Sequence, residues 1–350
     1  MLGELRSYRG CFDEAKTKQS KKYWTGTLKD FDPEFTSIPD YILKTTERIW
    51  ENGGVGRIRD YYDRDNIIRT PMGLTQGIDP VIAATNATLH QFPDRRLLGE
   101  DVIWTGNDET GCYYSSHRIV SPMHHNGHGM FGAPTGKPIK ARTIADTVIK
   151  AGRFCEEWLV RDHGAIIRQL GHDVGEFAAR SIAREQERRQ TPKFFTPEID
   201  VAGSYETPDE TSEHALMYAS TLESIWQANC TIINNNYDEA VALELPGGFA
   251  KSGKAEATRF WMSLVSAIPD ARFSVDHLIG RDDEGYPLRV AARWSVQGTH
   301  DGAGAFGDAS GAPIYIMGIS HAEIINNKIF REWILIDELA IHRQIRLFKG

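Results

Sequence analysis

The sequence lacks the features that mark membrane-bound, secreted and nucleic-acid-binding proteins. No apolar stretch approaches the roughly 20 residues needed to cross a bilayer, and the N-terminal residues contain no apolar run typical of signal peptides. The chain has 350 residues, of which 48 are acidic and 40 are Lys or Arg. The resulting net charge of −8 disfavours binding to nucleic acid or to anionic membranes. We therefore expect a cytoplasmic protein with no nucleic-acid or membrane partner.

Cysteine is scarce, and the common catalytic motifs are missing. The four cysteines (Cys11, Cys112, Cys155 and Cys230) show no CxxC spacing, so we expect free thiols rather than a zinc site. The sequence contains no GxSxG, P-loop or HExxH motif, and no GxGxxG after a first strand. Serine hydrolase, nucleotide-binding and zinc protease functions therefore have no support.

Histidines cluster in one short stretch, at positions 117, 124, 125 and 128. Zinc needs three or four ligands that converge at about 2 Å. A glycine-rich loop such as this one provides no rigid ligand spacing, so we predict no metal site.

What the sequence does contain is a long internal repeat. Ile49-Trp50 recurs as Ile225-Trp226, and the segment 92–96 recurs as 268–272, both at a spacing of 176 residues. Glu157-Trp158 recurs as Glu332-Trp333 at a spacing of 175. Solenoid repeats have periods of roughly 20–50 residues, so a spacing this long indicates a duplicated domain.

Each copy shows helical patterns first and long strands afterwards, which is typical of an α+β domain. In the first copy the strands are predicted at 95–106, 111–121, 137–150 and 153–160. The predicted organisation is an arm over 1–40, a domain over 41–170, a helix plus linker over 171–212 and a second domain over 213–350.

The motifs of both copies resemble those of the SnoaL-like polyketide cyclases, within the nuclear-transport-factor-2-like superfamily. The second copy carries Gly298-Thr299-His300, Asn326-Asn327-Lys328-Ile329 and Glu332-Trp333 in the family's order. The first copy carries His125-Asn126-Gly127 and Glu157-Trp158. The resemblance covers roughly residues 41–170 and 213–348.

The resemblance implies a cone-shaped, cystatin-like fold in which a curved antiparallel sheet is wrapped by helices. Members of the family usually pair through their sheets, so we expect the two copies to form an intramolecular pseudo-dimer. The resemblance also implies a pocket without cofactor or metal that binds a small hydrophobic molecule, and it leaves a homo-oligomer possible.

The family's cyclases use an acidic residue inside the cone as a general base. Counted without a gap, that position falls on Ala145 and Ser320, whereas Asp146 and His321 lie one residue further on. Because strand neighbours point to opposite faces, Asp146 and His321 face the pocket only if the register slips. Otherwise they lie on the outer or interface face, and both alternatives stay open.

Four further residues are candidates for chemistry. Asp162 and Asp337 share a strand face with apolar residues, so they either line the cone or cap the helix that follows. His117 and Arg118 could orient a carbonyl or stabilise an oxyanion, or they could be polar residues at the domain interface.

Histidines and tryptophans are candidates for substrate contacts. His125 and His300 match the family's loop histidine and are predicted at the pocket mouth. The tryptophans are either plain core or walls for a flat apolar substrate; they are Trp50, Trp104, Trp158, Trp226, Trp294 and Trp333.

Three functions remain open at this point. The chain could be an acid/base enzyme of the cyclase, isomerase or lyase type that acts on a small apolar carbonyl compound. It could also be a non-catalytic binder, or a protein in which the second domain only stabilises the first.

Overall fold

The computed structural model describes residue 28 and residues 30–349. Most of the predicted arm therefore lies outside the described residues, as does Cys11. No helix in the described part is both long and apolar enough to span a bilayer.

Before its long strands begin, the first domain has three α-helices, a π-helical segment (Glu47–Glu51), a 3-10 turn (Val55–Arg57) and two sheet strands. Ser37 caps the first helix by accepting a hydrogen bond from the Asp40 amide at 3.2 Å. The elements are α1 (Ile38–Thr46), α2 (Ile58–Tyr61), β1 (Tyr62–Thr70), β2 (Gly73–Gln76), α3 (Ile78–Gln91), β3 (Leu98–Asn107), β4 (Cys112–His124), β5 (Pro138–Lys150), β6 (Arg153–Arg161) and α4 (His163–Leu170).

The second domain repeats this order after α5 (Val174–Glu187) and an extended connection that holds one 3-10 turn, Pro197–Ile199. Its elements are α6 (Glu213–Trp226), α7 (Ile232–Asn236), β7 (Tyr237–Leu245), β8 (Phe249–Ser252), α8 (Lys254–Ala267), β9 (Arg272–Arg281), β10 (Leu288–Thr299), β11 (Pro313–Ile325), β12 (Lys328–Ile336) and α9 (Glu338–Lys349).

The two sheets have the same topology. The strand order is β2-β1-β6-β5-β4-β3 in the first and β8-β7-β12-β11-β10-β9 in the second. All neighbours are antiparallel except β1 with β6 and β7 with β12, which are parallel. The predicted α+β fold with two tandem cone domains is confirmed.

The central strands of both sheets are buried on both faces. The inner face of each sheet packs on its own helices and forms a core within its domain. The outer faces pack on each other, where Ile144 and Val148 of the first sheet share one cluster with Met317 and Ile319 of the second. The chain therefore forms the expected pseudo-dimer, and apolar residues lie on both faces of the central strands.

Candidate active site in the first domain

Asp146 lies on the outer face of the first sheet, against the second domain. Its carboxylate oxygens both lie 2.9 Å from Nδ1 of His277, and Oδ2 accepts a hydrogen bond from Nε of Arg293 at 2.7 Å. Burial raises the pKa of Asp146, but the charges of His277 and Arg293 outweigh it and bring the pKa below its usual value. The strand register does not slip at Asp146, so this residue faces the other domain rather than the cone.

His321 occupies the equivalent position in the second sheet. Nη1 of Arg118 donates to its Nδ1 at 2.8 Å, and its Nε2 lies 2.8 Å from Oγ of Ser116. A guanidinium can only donate, so Nδ1 accepts and the ring is neutral. Burial, followed by the charge of Arg118, lowers the pKa of His321 well below its usual value. His321 and Arg118 are therefore interface residues.

Trp158 and Trp333 complete this interface as a pseudo-symmetric pair. The guanidinium of Arg293 lies 3.9 Å from the ring centre of Trp158, and that of Arg118 lies 3.5 Å from the ring centre of Trp333. Each arginine thus stacks on a tryptophan of the other domain. Neither tryptophan faces the interior of a cone.

Asp162 and Asp337 cap helices at the domain boundary. Asp162 accepts a hydrogen bond from the Ala165 amide at 2.8 Å and from the amides of Gly247 and Gly248 of the second domain at 3.0 Å. Both glycines have positive φ, which lets their amides converge on one carboxylate. Asp337 accepts from the Leu339 amide at 3.1 Å and lies 2.7 Å from Nδ1 of His163.

Replacing Asp162 is expected to cost stability. Asp162→Ala removes a helix cap and leaves the buried amide of Gly247 and the part-buried amide of Gly248 without this acceptor, so the free energy of unfolding should fall by about 1–3 kcal/mol. Asp173 is the matched control, because it caps α5 at an exposed position, and Asp173→Ala should cost about 1 kcal/mol. Urea denaturation of both variants measures the difference. Equal losses would contradict the cross-domain role of Asp162.

His125 and His300 organise equivalent loops. The carbonyl of His125 accepts from the amides of Thr135 and Gly136, and that of His300 accepts from the amides of Ser310 and Gly311. Nδ1 of each ring lies near a hydroxyl of its own loop, Thr135 at 3.2 Å and Ser310 at 2.9 Å. Both side chains are buried, and they shape these loops.

The inner face of the first sheet carries a buried glutamate whose carboxyl group has only one weak hydrogen bond. Glu157 lies directly before Trp158 on β6, so its side chain points to the opposite, inner face. Its hydrogen-bond partner in the described residues is the Tyr62 hydroxyl, at 3.4 Å. Burial raises the pKa of Glu157, and Arg161 and Tyr62 only partly offset that rise.

Two arginines lie on the same inner side. Arg161 pairs across the sheet with Thr143, which pairs with Ile119, and Ile119 pairs with Gly99, so these residues form one inner row. Arg161 makes no hydrogen bond or ion pair within the described chain, and burial lowers its pKa. Arg95 donates from Nε to Oγ of Ser121 at 3.3 Å. Burial, and then the charge of Arg161, lowers the pKa of Arg95 to about 9.

His117 belongs to the next inner row. It pairs with Ala145, which pairs with Leu159, the residue midway between Glu157 and Arg161 on β6. Its Nε2 is buried without a hydrogen-bond partner among the described residues. Burial and the charge of Arg118 lower the pKa of His117 to about 3. At neutral pH His117 is therefore a neutral imidazole on the inner face.

The remaining tryptophans divide between the two domains. Trp50 and Trp104 are partly buried against the core of the first domain, and the guanidinium of Arg281 lies 4.7 Å from the ring centre of Trp104. Trp226 and Trp294 are buried in the core of the second domain.

The second domain fills its cone with aromatic side chains where the first has smaller ones. Trp294 occupies the position of Ile119 in the repeat, Trp261 that of Thr85 and Phe273 that of Leu97. A Cβ atom added to Gly318 would lie 2.3 Å from the Trp294 ring, so this ring lies directly over the strand. The Trp294 indole donates to Oγ of Ser320 at 2.9 Å.

The carboxylate of Glu332, the counterpart of Glu157, accepts hydrogen bonds from two tyrosine hydroxyls. It accepts from the Tyr218 hydroxyl at 2.8 Å and from the Tyr237 hydroxyl at 2.9 Å, and the Trp261 indole donates to Tyr237 at 3.0 Å. The first domain has Ile42 where the second has Tyr218, so Glu157 lacks this second donor. Burial raises the pKa of Glu332 to about 7.

Glu332 should make stability fall as the pH rises. Because its folded-state pKa of about 7 exceeds the ordinary value near 4.5, the neutral carboxyl stabilises the fold at low pH. That contribution is lost between pH 4.5 and 7 and amounts to about 3 kcal/mol. Glu332→Gln removes the titration, so the wild type should lose more stability than the variant between pH 5 and 8 in urea denaturation. Parallel pH profiles would contradict the assignment.

Sequence reasoning missed Glu157, Arg95 and Arg161 as candidates. A comparison of the two copies would have indicated the two arginines, because Arg95 and Arg161 align with Ala271 and Ile336, whereas Glu157 aligns with Glu332. A charge that only one copy keeps is not required by the shared fold. Within the described residues no group of three or more His, Cys, Asp or Glu side chains is placed to hold a metal ion.

Comparison with known proteins places both domains in one family. The model of the SnoaL-like polyketide cyclase family matches residues 41–170 and 216–345, more than half of the chain. A search of curated protein sequences finds no match.

Solved structures similar to this chain cover one domain each. IdmH from Streptomyces antibioticus is 22% identical over 38% of this chain and 97% of its own, with a TM-score of 0.34. A SnoaL-like polyketide cyclase from Agrobacterium tumefaciens is 21% identical over 39% and 99%, with a TM-score of 0.32. TsrD from Streptomyces laurentii is 17% identical over 39% and 98%, with a TM-score of 0.33. On the two matches of the family model, the chain belongs to the SnoaL-like polyketide cyclase family and carries its domain twice.

Proposed function

We propose that this protein is a cofactor-free acid/base enzyme of the cyclase, isomerase or lyase type. Its substrate is a small, mostly apolar carbonyl compound, and the site is the inner face of the first domain. The observation that carries the proposal is Glu157, a buried carboxyl group with one weak hydrogen bond and a raised pKa. Such a group is a stronger base than an exposed carboxylate.

The proposed step moves one proton and one electron pair. The Glu157 carboxylate takes a proton from the carbon next to the carbonyl, and the electron pair of that C–H bond moves toward the carbonyl oxygen to form an enolate. His117, neutral at physiological pH, donates a hydrogen bond to this oxygen. In a cyclase the enolate carbon then attacks a second carbonyl carbon of the same molecule, whose C=O electron pair moves to its oxygen and takes up the proton from Glu157. In a lyase the enolate electron pair forms a C=C bond while the leaving group departs from the β carbon with its bonding pair and the proton. In an isomerase Glu157 returns the proton to a different carbon.

The second domain serves as the structural partner of the first in this proposal. Trp294 and Trp261 are fully buried where the first domain has Ile119 and Thr85, and Glu332 is held by two tyrosines. A filled cone leaves no room for a substrate and provides a rigid surface on which the first sheet packs.

The proposal is tested by proton exchange on a flat bicyclic ketone. 2-Tetralone in D2O exchanges its C1 protons only through the enolate, and proton NMR follows the loss of their resonance. We expect the full-length protein to accelerate exchange above the buffer rate. An exchange rate equal to that of buffer containing the same concentration of free acetate would refute the proposal.

A further inference from the structure

The inner side of the first domain carries two arginines, Arg161 and Arg95, that form no ion pair within the described residues. Arg161 has no hydrogen-bond or ion-pair partner in the described residues, and Arg95 has only the Ser121 hydroxyl at 3.3 Å. Two carboxyl groups act on Arg161 through their charge without forming an ion pair with it, Glu157 on the same face and Asp337 of the second domain. Both arginines are part-buried, and a guanidinium that is partly withdrawn from water normally has a counter-charge.

The fold itself does not need these two arginines. The second domain has the same strands and the same glutamate, but Ala271 and Ile336 replace the arginines. Ala271 and Ile336 pack there against the apolar core of the second domain. Packing alone therefore does not account for two part-buried cations in the first copy, whereas contact with an anionic ligand would.

The row beside Arg161 carries smaller side chains than its counterpart in the second domain. The inner row that contains it continues through Thr143 and Ile119 to Gly99. The second domain has Gly318, Trp294 and Val275 in this row, and there the Trp294 ring covers the strand. The space that this ring fills in the second domain is therefore left to smaller side chains in the first, next to the unpaired guanidinium.

We infer that the first domain binds a flat apolar compound that also bears a carboxylate, and that Arg161 and Arg95 hold this carboxylate. A guanidinium matches a carboxylate with two parallel hydrogen bonds. Holding the charged end at the arginines would direct the apolar body along β6 toward Glu157 and His117. The inference rests on the proposed function, because it names the substrate class of the same site.

A matched pair of ligands tests the inference. 2-Naphthoate and 2-naphthamide have the same shape and differ in charge, and isothermal titration gives their affinities for the full-length protein. We expect the acid to bind at least tenfold more tightly than the amide. Arg161→Ile and Arg95→Ala, which install the residues of the second domain, should each reduce this preference, and the double variant should abolish it.

Controls separate this inference from folding and from the proposed function. Arg161→Met keeps the length of the side chain without its charge and should behave as Arg161→Ile, and Arg259→Ala, at an exposed helix position, should keep the full preference. Equal affinities for acid and amide, no binding of either, or a preference that survives in the double variant would overturn the inference. Exchange of 2-tetralone, a neutral compound, would then still report on the proposed function.

Discussion

Glu157→Gln is expected to slow the protein-catalysed exchange of 2-tetralone by about 10²–10⁴-fold. Glutamine keeps the size of the side chain and can still accept a hydrogen bond from the Tyr62 hydroxyl, but it cannot take a proton. The fold should therefore persist while the chemistry is lost. Circular dichroism and the unfolding midpoint verify the first point, and proton NMR of the C1 resonance measures the second.

The duplication supplies the control for this experiment. Glu332→Gln makes the same substitution at the same position of the same fold, but in a cone filled by Trp261 and Trp294. Exchange should then stay within twofold of the wild-type rate. If Glu332→Gln and Glu157→Gln slowed exchange equally, the assignment of the site to the first domain would be wrong.

The pH dependence of exchange follows from the state of the base. Only ionised Glu157 accepts a proton, and burial raises its pKa above the ordinary value near 4.5. The rate should therefore rise with pH through a midpoint above 4.5 and then level off. His117 stays neutral over this range because its pKa is about 3, so it adds no second step.

The sequence predicts the two-domain fold well because its repeat is long and its strands are regular. The predicted strand over 137–150 matches β5, Pro138–Lys150, and the predicted strand over 153–160 matches β6, Arg153–Arg161. Turn residues and alternation are local properties, so a single sequence contains them.

The face on which a side chain lies is not a local property in this protein. Alternation separates Asp146 from Ala145 and Glu157 from Trp158, but it does not tell which set lies inside the cone. In most antiparallel sheets the polar face is the solvent face. Here both faces are buried, because the outer faces of the two sheets pack together, and the usual difference in polarity disappears.

The interface also explains why polar residues on the outer face resemble catalytic groups. Asp146, His277 and Arg293 form a buried charged cluster with good hydrogen-bond geometry, as a catalytic site would. Asp146 belongs to the first copy and its two partners to the second, more than 100 residues away along the chain. No local sequence pattern predicts such a contact. Sequence alone could not separate a pairing role from a catalytic one for Asp146.

Asp146→Ala is therefore expected to destabilise the protein and to leave its chemistry intact. Removing the carboxylate leaves His277 and Arg293 buried without their shared partner, and breaking a buried ion pair in this way costs about 3–5 kcal/mol. Urea denaturation should show this loss, whereas the exchange rate per folded molecule stays at the wild-type level. Asp146→Asn, which preserves the volume of the side chain, should follow the same pattern.

A double-mutant cycle with Arg293 decides whether the loss comes from the unpaired charge. Arg293→Met removes the cation, keeps much of the side-chain volume and retains an apolar contact with Trp158, so Asp146→Ala combined with Arg293→Met should cost less than the two single losses added together. Strictly additive losses would show that Asp146 and Arg293 do not act as a pair. A loss of exchange in Asp146→Asn at unchanged stability would instead return Asp146 to the role of base, and Glu157 would have to be abandoned.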